Sequence, residues 1–240
     1  GTNNDRINVP NGEQNTNVAQ LIYQTELAAG DNNNLGGKYY AGPGAGGSLL
    51  GSSAIPTQVT QEAILTANRA YSDFQEQAAA WLQGNPGGSI ATAVTAFSRG
   101  ADAAAIFSQL VFERGLTDPV SGAILIPPGD IKFAGGILFD PVMTGVMGNM
   151  TFPPNTQNLT IIRASDEFRY LFKAADYSNQ PGATTFDFMG NHANIGGSYL
   201  NDNISALVLE AGTGFFQRLG IPIADVPVQR RYVPDSVVFV

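Results

Sequence analysis

An apolar, β-branched run from Ile90 to Phe97 stops at Ser98 and gives way almost at once to an alanine-rich stretch, Ala101 to Phe112. A continuous apolar run of this length, closed off by turn residues, reads as a strand buried on both faces, as strands of parallel sheets are. The alanines and apolar residues that follow predict the helix returning across that sheet. Strand, sharp turn and helix in this order commit the chain to an α/β fold, with a mostly parallel central sheet and helices on both faces.

The remaining segments fit the same alternation. Thr16 or Asn17 caps a helix carrying Val18, Leu21, Ile22 and Leu27, and Thr60 caps a second that runs to about Gln83. In that second helix Ile64, Leu65, Ala67, Tyr71, Phe74, Ala78 and Trp81 form one broad face. Lys132 to Phe139 predicts another buried strand, ended at Asp140-Pro141 because proline cannot continue a ladder. Leu159 to Phe172 is expected to be helical, Thr184 to Met189 a short strand, and Ile204 to Leu219 a closing helix. Asp31 to Ser53, rich in asparagine and glycine, predicts a long loop. With no repeat and no linker, 240 residues at 43% hydrophobic fit one catalytic-sized domain, 1–240.

Composition narrows the partners. A net charge of −8 with 12 Lys+Arg argues against nucleic acid, whose binding needs clustered cations. It also disfavours electrostatic docking on anionic lipid, while leaving hydrophobic insertion into a membrane surface open. There is no cysteine, hence no thiolate nucleophile, and there is a single histidine. Asp31-Asn32-Asn33-Asn34 lacks the spacing of a calcium loop, so the sequence calls for no metal and no cofactor. No apolar run reaches the ~18 residues of a membrane span, and the first residues are polar rather than signal-like.

Ser98 occupies the place of an α/β-hydrolase nucleophile, at a strand-to-helix turn whose small neighbours Ala96 and Gly100 permit crowding, with Ala96 replacing the usual glycine. On those residues alone a helix N-cap fits equally well. Any imidazole base must be His192, in a glycine-rich loop that by itself reads as ordinary surface. Asp140 ends the next strand and completes the order Ser…Asp…His, although Asp before Pro also suits a plain turn. Asp187 and Asp166 are rival acids, the first within a strand and the second on a predicted helix. Met143 and Met147, with Val146, Met150 and Phe152, fit either an acyl-chain pocket or core. Tyr39, Tyr40 and the glycines to Gly47 fit either a cleft border or a plain loop.

In sequence order, six pieces resemble the α/β-hydrolase domains of bacterial type VI secretion phospholipase effectors, a family once known only as a domain of unknown function. Gly1-Thr2-Asn3-Asn4-Asp5 is similar to the back of its D-G-T-x-N-D turn, with Thr16-Asn17-Val18 like its T-N-V helix start. Tyr39-Tyr40-Ala41-Gly42-Pro43-Gly44-Ala45-Gly46-Gly47 resembles its Y-Y-x-G-P-G-T-G loop, and Ala96-Phe97-Ser98-Arg99-Gly100-Ala101 its G-F-S-R-G-A nucleophile turn. Phe139-Asp140-Pro141-Val142 resembles its D-T-V element, and Gly190 to Tyr199 its G-x-H-S-D-I-G-G-G-Y loop.

The resemblance implies a serine esterase acting on lipid or phospholipid acyl esters through Ser98, Asp140 and His192. It further implies a secretion-apparatus or immunity-protein partner, and secretion or delivery to a target-cell periplasm. The family's first strand precedes the glycine-threonine pair, so that strand is expected to be missing from these residues. The oxyanion would meet the backbone N–H of Arg99 and a donor near Thr2. A soluble-ester or polyester carboxylesterase, and a non-catalytic binding module on the same fold, are the alternatives.

Overall fold

A computed structural model describes residues 4–31, 34–45, 56–143 and 150–234. Helix α1 (Asn17–Ala29) opens on Thr16, whose side chain accepts the Ala19 N–H. After α2 (Pro56–Gly84) come β1 (Ala91–Phe97) and α3 (Gly100–Arg114). A small antiparallel pair, β2 (Leu116–Thr117) and β3 (Ile124–Ile126), precedes β4 (Lys132–Phe139). Then follow β5 (Leu159–Ala164), β6 (Ala183–Phe188), α4 (His192–Gly196) and α5 (Asn203–Arg218).

The main sheet has the order β1-β4-β5-β6 with every neighbouring pair parallel, so the fold is α/β with a parallel sheet. Alternate strand residues go to opposite faces. Phe97, Ile137, Phe139 and Ile162 join Leu21, Val208, Leu209 and Phe215, under α1 and α5. Ala96, Leu138, Leu159 and Ile161 join Ala101 and Ala105 of α3 on the other side. Phe139 is fully enclosed, and burying a side chain of that size contributes roughly 1.5–3 kcal/mol. Helix α2 lies outside α3, its Ala67, Tyr71 and Ala78 meeting Leu110 and Val111; Ile64 and Leu65, expected on the same face, are instead exposed.

The segment Leu159 to Phe172 departs from the helical expectation. Its first part is the strand β5, between β4 and β6, and only Tyr170–Phe172 makes a 3-10 turn. The successive β-branched residues Thr160, Ile161 and Ile162 disfavour a helix. Burial on both faces removes the alternation that would have marked a strand. No helix among the described residues is long and apolar enough to cross a membrane.

Register positions the site. Phe97 pairs with Phe139, and Phe139 with Ile162, so the residues just past each strand gather at one carboxyl edge. β1 delivers Ser98 there, β4 delivers Asp140, and β6 leads through Gly190 and Asn191 to His192.

Candidate active site

Ser98 has φ +58°, a left-handed conformation that costs an L-residue roughly 1–2 kcal/mol and persists only where its surroundings enforce it. Its N–H donates to the Phe139 carbonyl at 3.0 Å and its own carbonyl accepts from Ala101 at 3.2 Å, pinning the turn between sheet and helix. Arg99, not Ser98, holds the N-cap position of α3, so the hydroxyl is not spent on capping.

Asp140 also lies at positive φ, +38°. Its Oδ1 accepts the Ala164 N–H at 2.9 Å and its Oδ2 stands 2.6 Å from His192 Nδ1. A carboxylate only accepts, so Nδ1 carries the proton and Nε2 presents its lone pair. That lone pair faces Ser98 Oγ at 2.9 Å. Both side chains of the His–Asp pair are buried, 8% and 2% exposed, which shields these charge-assisted hydrogen bonds from water.

His192 was expected in a loop; it is the first residue of the short helix α4. Asn191 caps that helix by accepting from Ala193 and Asn194, while the Asn194 side chain returns a bond to the Asn191 N–H. The imidazole sits between two rings, Phe97 at 4.6 Å and Phe172 at 4.6 Å, the latter edge-on at 73°. Phe97 in turn leans on Gly196, where an added Cβ would stand 2.1 Å from the ring. Behind α4, the Asn17 side chain donates to the Ile195 carbonyl, and buried Arg230 donates to the Asn17 side chain and the Asn15 carbonyl. Burial holds the Arg230 guanidinium down to about 10.

Neither rival acid reaches the imidazole. Asp187 is exposed and pairs with Arg163 at 2.7 Å. Asp166 follows β5 rather than lying on a helix, and accepts the Gly190 N–H at 2.7 Å. The acid missed from the sequence is Glu167, which accepts the His192 backbone N–H at 3.2 Å and is paired with Arg169. Arg169 pulls the Glu167 carboxyl down to about 2. The arginine two residues on was its one legible signal, and nothing in the sequence tied either residue to His192.

Of the other expected site residues, Arg99 is buried at the head of α3, and Thr2, Val146 and Met147 lie outside the described residues. Met143 is 42% exposed and its N–H donates to the Lys173 carbonyl, whereas Met150 and Phe152 are core. Tyr40 turns its hydroxyl to Asp73 at 2.5 Å, bordering a cavity of about 640 Å³ with Lys38 and Arg69. Burial first, then that hydrogen bond to Asp73, raises the Tyr40 phenol. One further acid stands out: Asp102, in the first turn of α3, is fully buried, and neither oxygen has a hydrogen-bond partner among the described residues. Desolvation raises it to about 6.

Fold and geometry define a class: an α/β chain with serine, histidine and aspartate hydrogen-bonded in line at the carboxyl edge of a parallel sheet. No family model and no curated protein matches the chain. Among solved structures it is similar to the Tle1 effector bound to the VgrG spike from the type 6 secretion system. The identity there is 18%, the TM-score 0.51, and the match covers 78% of this chain and 41% of that one. An uncharacterized protein from Pseudomonas aeruginosa is similar at 16% identity and a TM-score of 0.44, over 76% of this chain and 32% of the other. The chain thus spans less than half the length of either, and the likeness to Tle1 shows a shared α/β fold.

Proposed function

We propose that this chain is a serine hydrolase cleaving carboxylic esters, with lipid or phospholipid acyl esters as substrates, and that residues 1–240 form one α/β-hydrolase catalytic domain. The observation that carries the reading is the continuous relay Ser98 Oγ to His192 Nε2, 2.9 Å, and His192 Nδ1 to Asp140 Oδ2, 2.6 Å. A hydroxyl is inert until a base is aimed at it, and the base is useful only when its tautomer is fixed.

In the reaction Ser98 Oγ attacks the ester carbonyl while its proton passes to His192 Nε2. Asp140 stabilises the imidazolium by accepting from Nδ1. The tetrahedral intermediate collapses, the C–O bond to the alcohol breaks, and the leaving oxygen takes the proton from Nε2. Water then attacks the acyl-enzyme, giving its proton to Nε2, and Ser98 recovers it as the acid departs. The Arg99 N–H at the head of α3 is the proposed oxyanion donor, with a partner near Thr2; each such donor contributes about 3–4 kcal/mol to the transition state.

Lipid is favoured over soluble ester by what surrounds the site. Phe168 and Tyr170, on the segment that ends at Phe172 beside the imidazole, are 86% and 94% exposed. Exposed aromatics on the segment next to the histidine suit an apolar, interfacial substrate. Met143 and Tyr40 are proposed substrate contacts, Met147 with them. The likeness to an effector seated on a secretion spike supports a secretion-apparatus partner and export from the producing cell; an immunity-protein partner is proposed on the motif resemblance.

The test is a fluorophosphonate probe with p-nitrophenyl esters of graded length and phospholipid vesicles. Labelling at Ser98 and turnover lost in Ser98→Ala, with an unchanged melting curve, are expected. A folded wild-type chain that neither labels nor hydrolyses any ester would overturn the reading.

A further inference from the structure

The reaction above uses three side chains and gives no task to the ionic and aromatic cluster beside them. After β5 the chain runs from Ser165 to Phe172. Phe168 and Tyr170 project outward, while Glu167, Arg169 and Phe172 interlock with His192.

The Glu167 side chain is 5% exposed. Its Oε2 accepts the His192 backbone N–H at 3.2 Å and Arg169 Nη2 at 2.6 Å; its Oε1 accepts the Arg169 backbone N–H at 2.9 Å and Nε at 2.8 Å. The Arg169 guanidinium then lies 3.7 Å from the centroid of the Phe172 ring, and that ring meets the imidazole edge-on at 4.6 Å.

Two needs of His192 are met here. Its N–H is among the donors that the first turn of a helix leaves unpaired, and α4 is too short to be stable by itself. Its ring, held by hydrogen bonds at Nδ1 and Nε2, remains free to rock about the line joining those two atoms. Only contacts on its faces and edges remove that freedom, and Phe97 and Phe172 supply them from two sides.

We propose that Glu167, Arg169 and Phe172 form a positioning clamp on His192: the carboxylate anchors its main chain, and the guanidinium presses the aryl ring against the imidazole. The clamp keeps Nε2 on the Ser98 hydroxyl. It rests on the reading of Ser98, His192 and Asp140 as a hydrolytic triad. Arg169 is 58% exposed, so its ion pair contributes little to folding, and its effect is on orientation.

The test compares Arg169→Ala, Phe172→Ala, Phe172→Leu, their Arg169→Ala/Phe172→Ala combination, Glu167→Ala and Glu167→Gln in the full chain. On a soluble ester, Arg169→Ala and Phe172→Ala are each expected to lower kcat by about 10-fold or more with KM within about twofold. The double variant should be no slower than the slower single, because residues acting as one unit do not add. Glu167→Gln keeps an acceptor for the His192 N–H and should recover part of what Glu167→Ala loses. Since the chain has one histidine, its imidazole NMR signals report the ring without assignment; the Nδ1–H resonance should broaden in the variants while the fold persists.

Wild-type kcat and unchanged histidine signals in Arg169→Ala and Phe172→Leu would overturn the clamp, as would effects that simply multiply in the double variant. If the wild-type chain is inert toward esters and probe, the hydrolase reading falls, and the histidine resonance alone decides whether the ring is held.

Discussion

Replacing Asp102 by asparagine tests how the buried carboxyl behind the nucleophile turn is tolerated. Burial raises Asp102 from 3.8 to about 6, with neither oxygen hydrogen-bonded among the described residues. A group whose pKa is higher folded than unfolded favours the fold while it is protonated. Its contribution is fully present below about pH 4 and is lost as pH rises to about 6. At 1.36 kcal/mol per unit, the roughly two-unit rise amounts to about 3 kcal/mol in full, of which about 2.4 kcal/mol falls between pH 4 and pH 8, because the unfolded carboxyl is already about half-ionised at pH 4. Asn is nearly isosteric and does not ionise, so it adds a constant and no slope. Urea unfolding of both proteins at pH 4, 5, 6 and 8 should show Asp102→Asn gaining on the wild type by about 2.4 kcal/mol across that series. Glu167, held down to about 2, destabilises the fold as pH falls below its ordinary 4.5, but it does so equally in both proteins. A stability difference that stays flat from pH 4 to pH 8 would refute the reasoning.

Asp140→Asn leaves the hydrogen-bonding shape but offers Nδ1 an amide, which permits the wrong tautomer; ester turnover should fall by on the order of 10³- to 10⁴-fold with little change in melting temperature. Gly196→Ala sets a methyl 2.1 Å from the Phe97 ring, so overpacking should cost about 1–3 kcal/mol in urea unfolding, whereas Gly100→Ala, with nothing within 4 Å, should cost nothing. Phe168→Ser with Tyr170→Ser should slow hydrolysis of phospholipid vesicles several-fold while leaving p-nitrophenyl butyrate turnover unchanged; equal rates on vesicles before and after the change would refute an interfacial role for the two rings.

Ser98, Asp140 and His192 were legible because each follows a segment whose character is local: two buried strands ended by a turn, and the one imidazole in the chain. β5 was not, since a strand covered on both faces shows no alternation, and further apolar residues recur at Phe168, Leu171 and Phe172, past the polar stretch Ser165-Asp166-Glu167. The helical turn at His192 was hidden by its glycines. Gly196 is there for the close approach of Phe97, and Gly197, at φ +90°, for the helix end against Asn17. Glu167 and Arg230 act on the histidine helix across 25 and 33 residues of sequence, and such long-range pairs leave no periodic trace. Tyr40 is a mixed case: its motif fits either a cleft border or a plain loop, and the residue borders the cavity beside Lys38 and Arg69 while its hydroxyl is committed to Asp73.

The pairing of Phe97 with Phe139 means that the hydroxyl and the carboxylate ride on adjacent rungs of one ladder, their backbones bonded directly to Phe139 and Ile162. Their separation is thus a property of β-sheet geometry, with no hinge between them to relax. Warming should therefore leave the spacing of Ser98 and Asp140 intact until far-UV melting of the sheet, so any earlier loss of probe labelling would report release of the histidine helix.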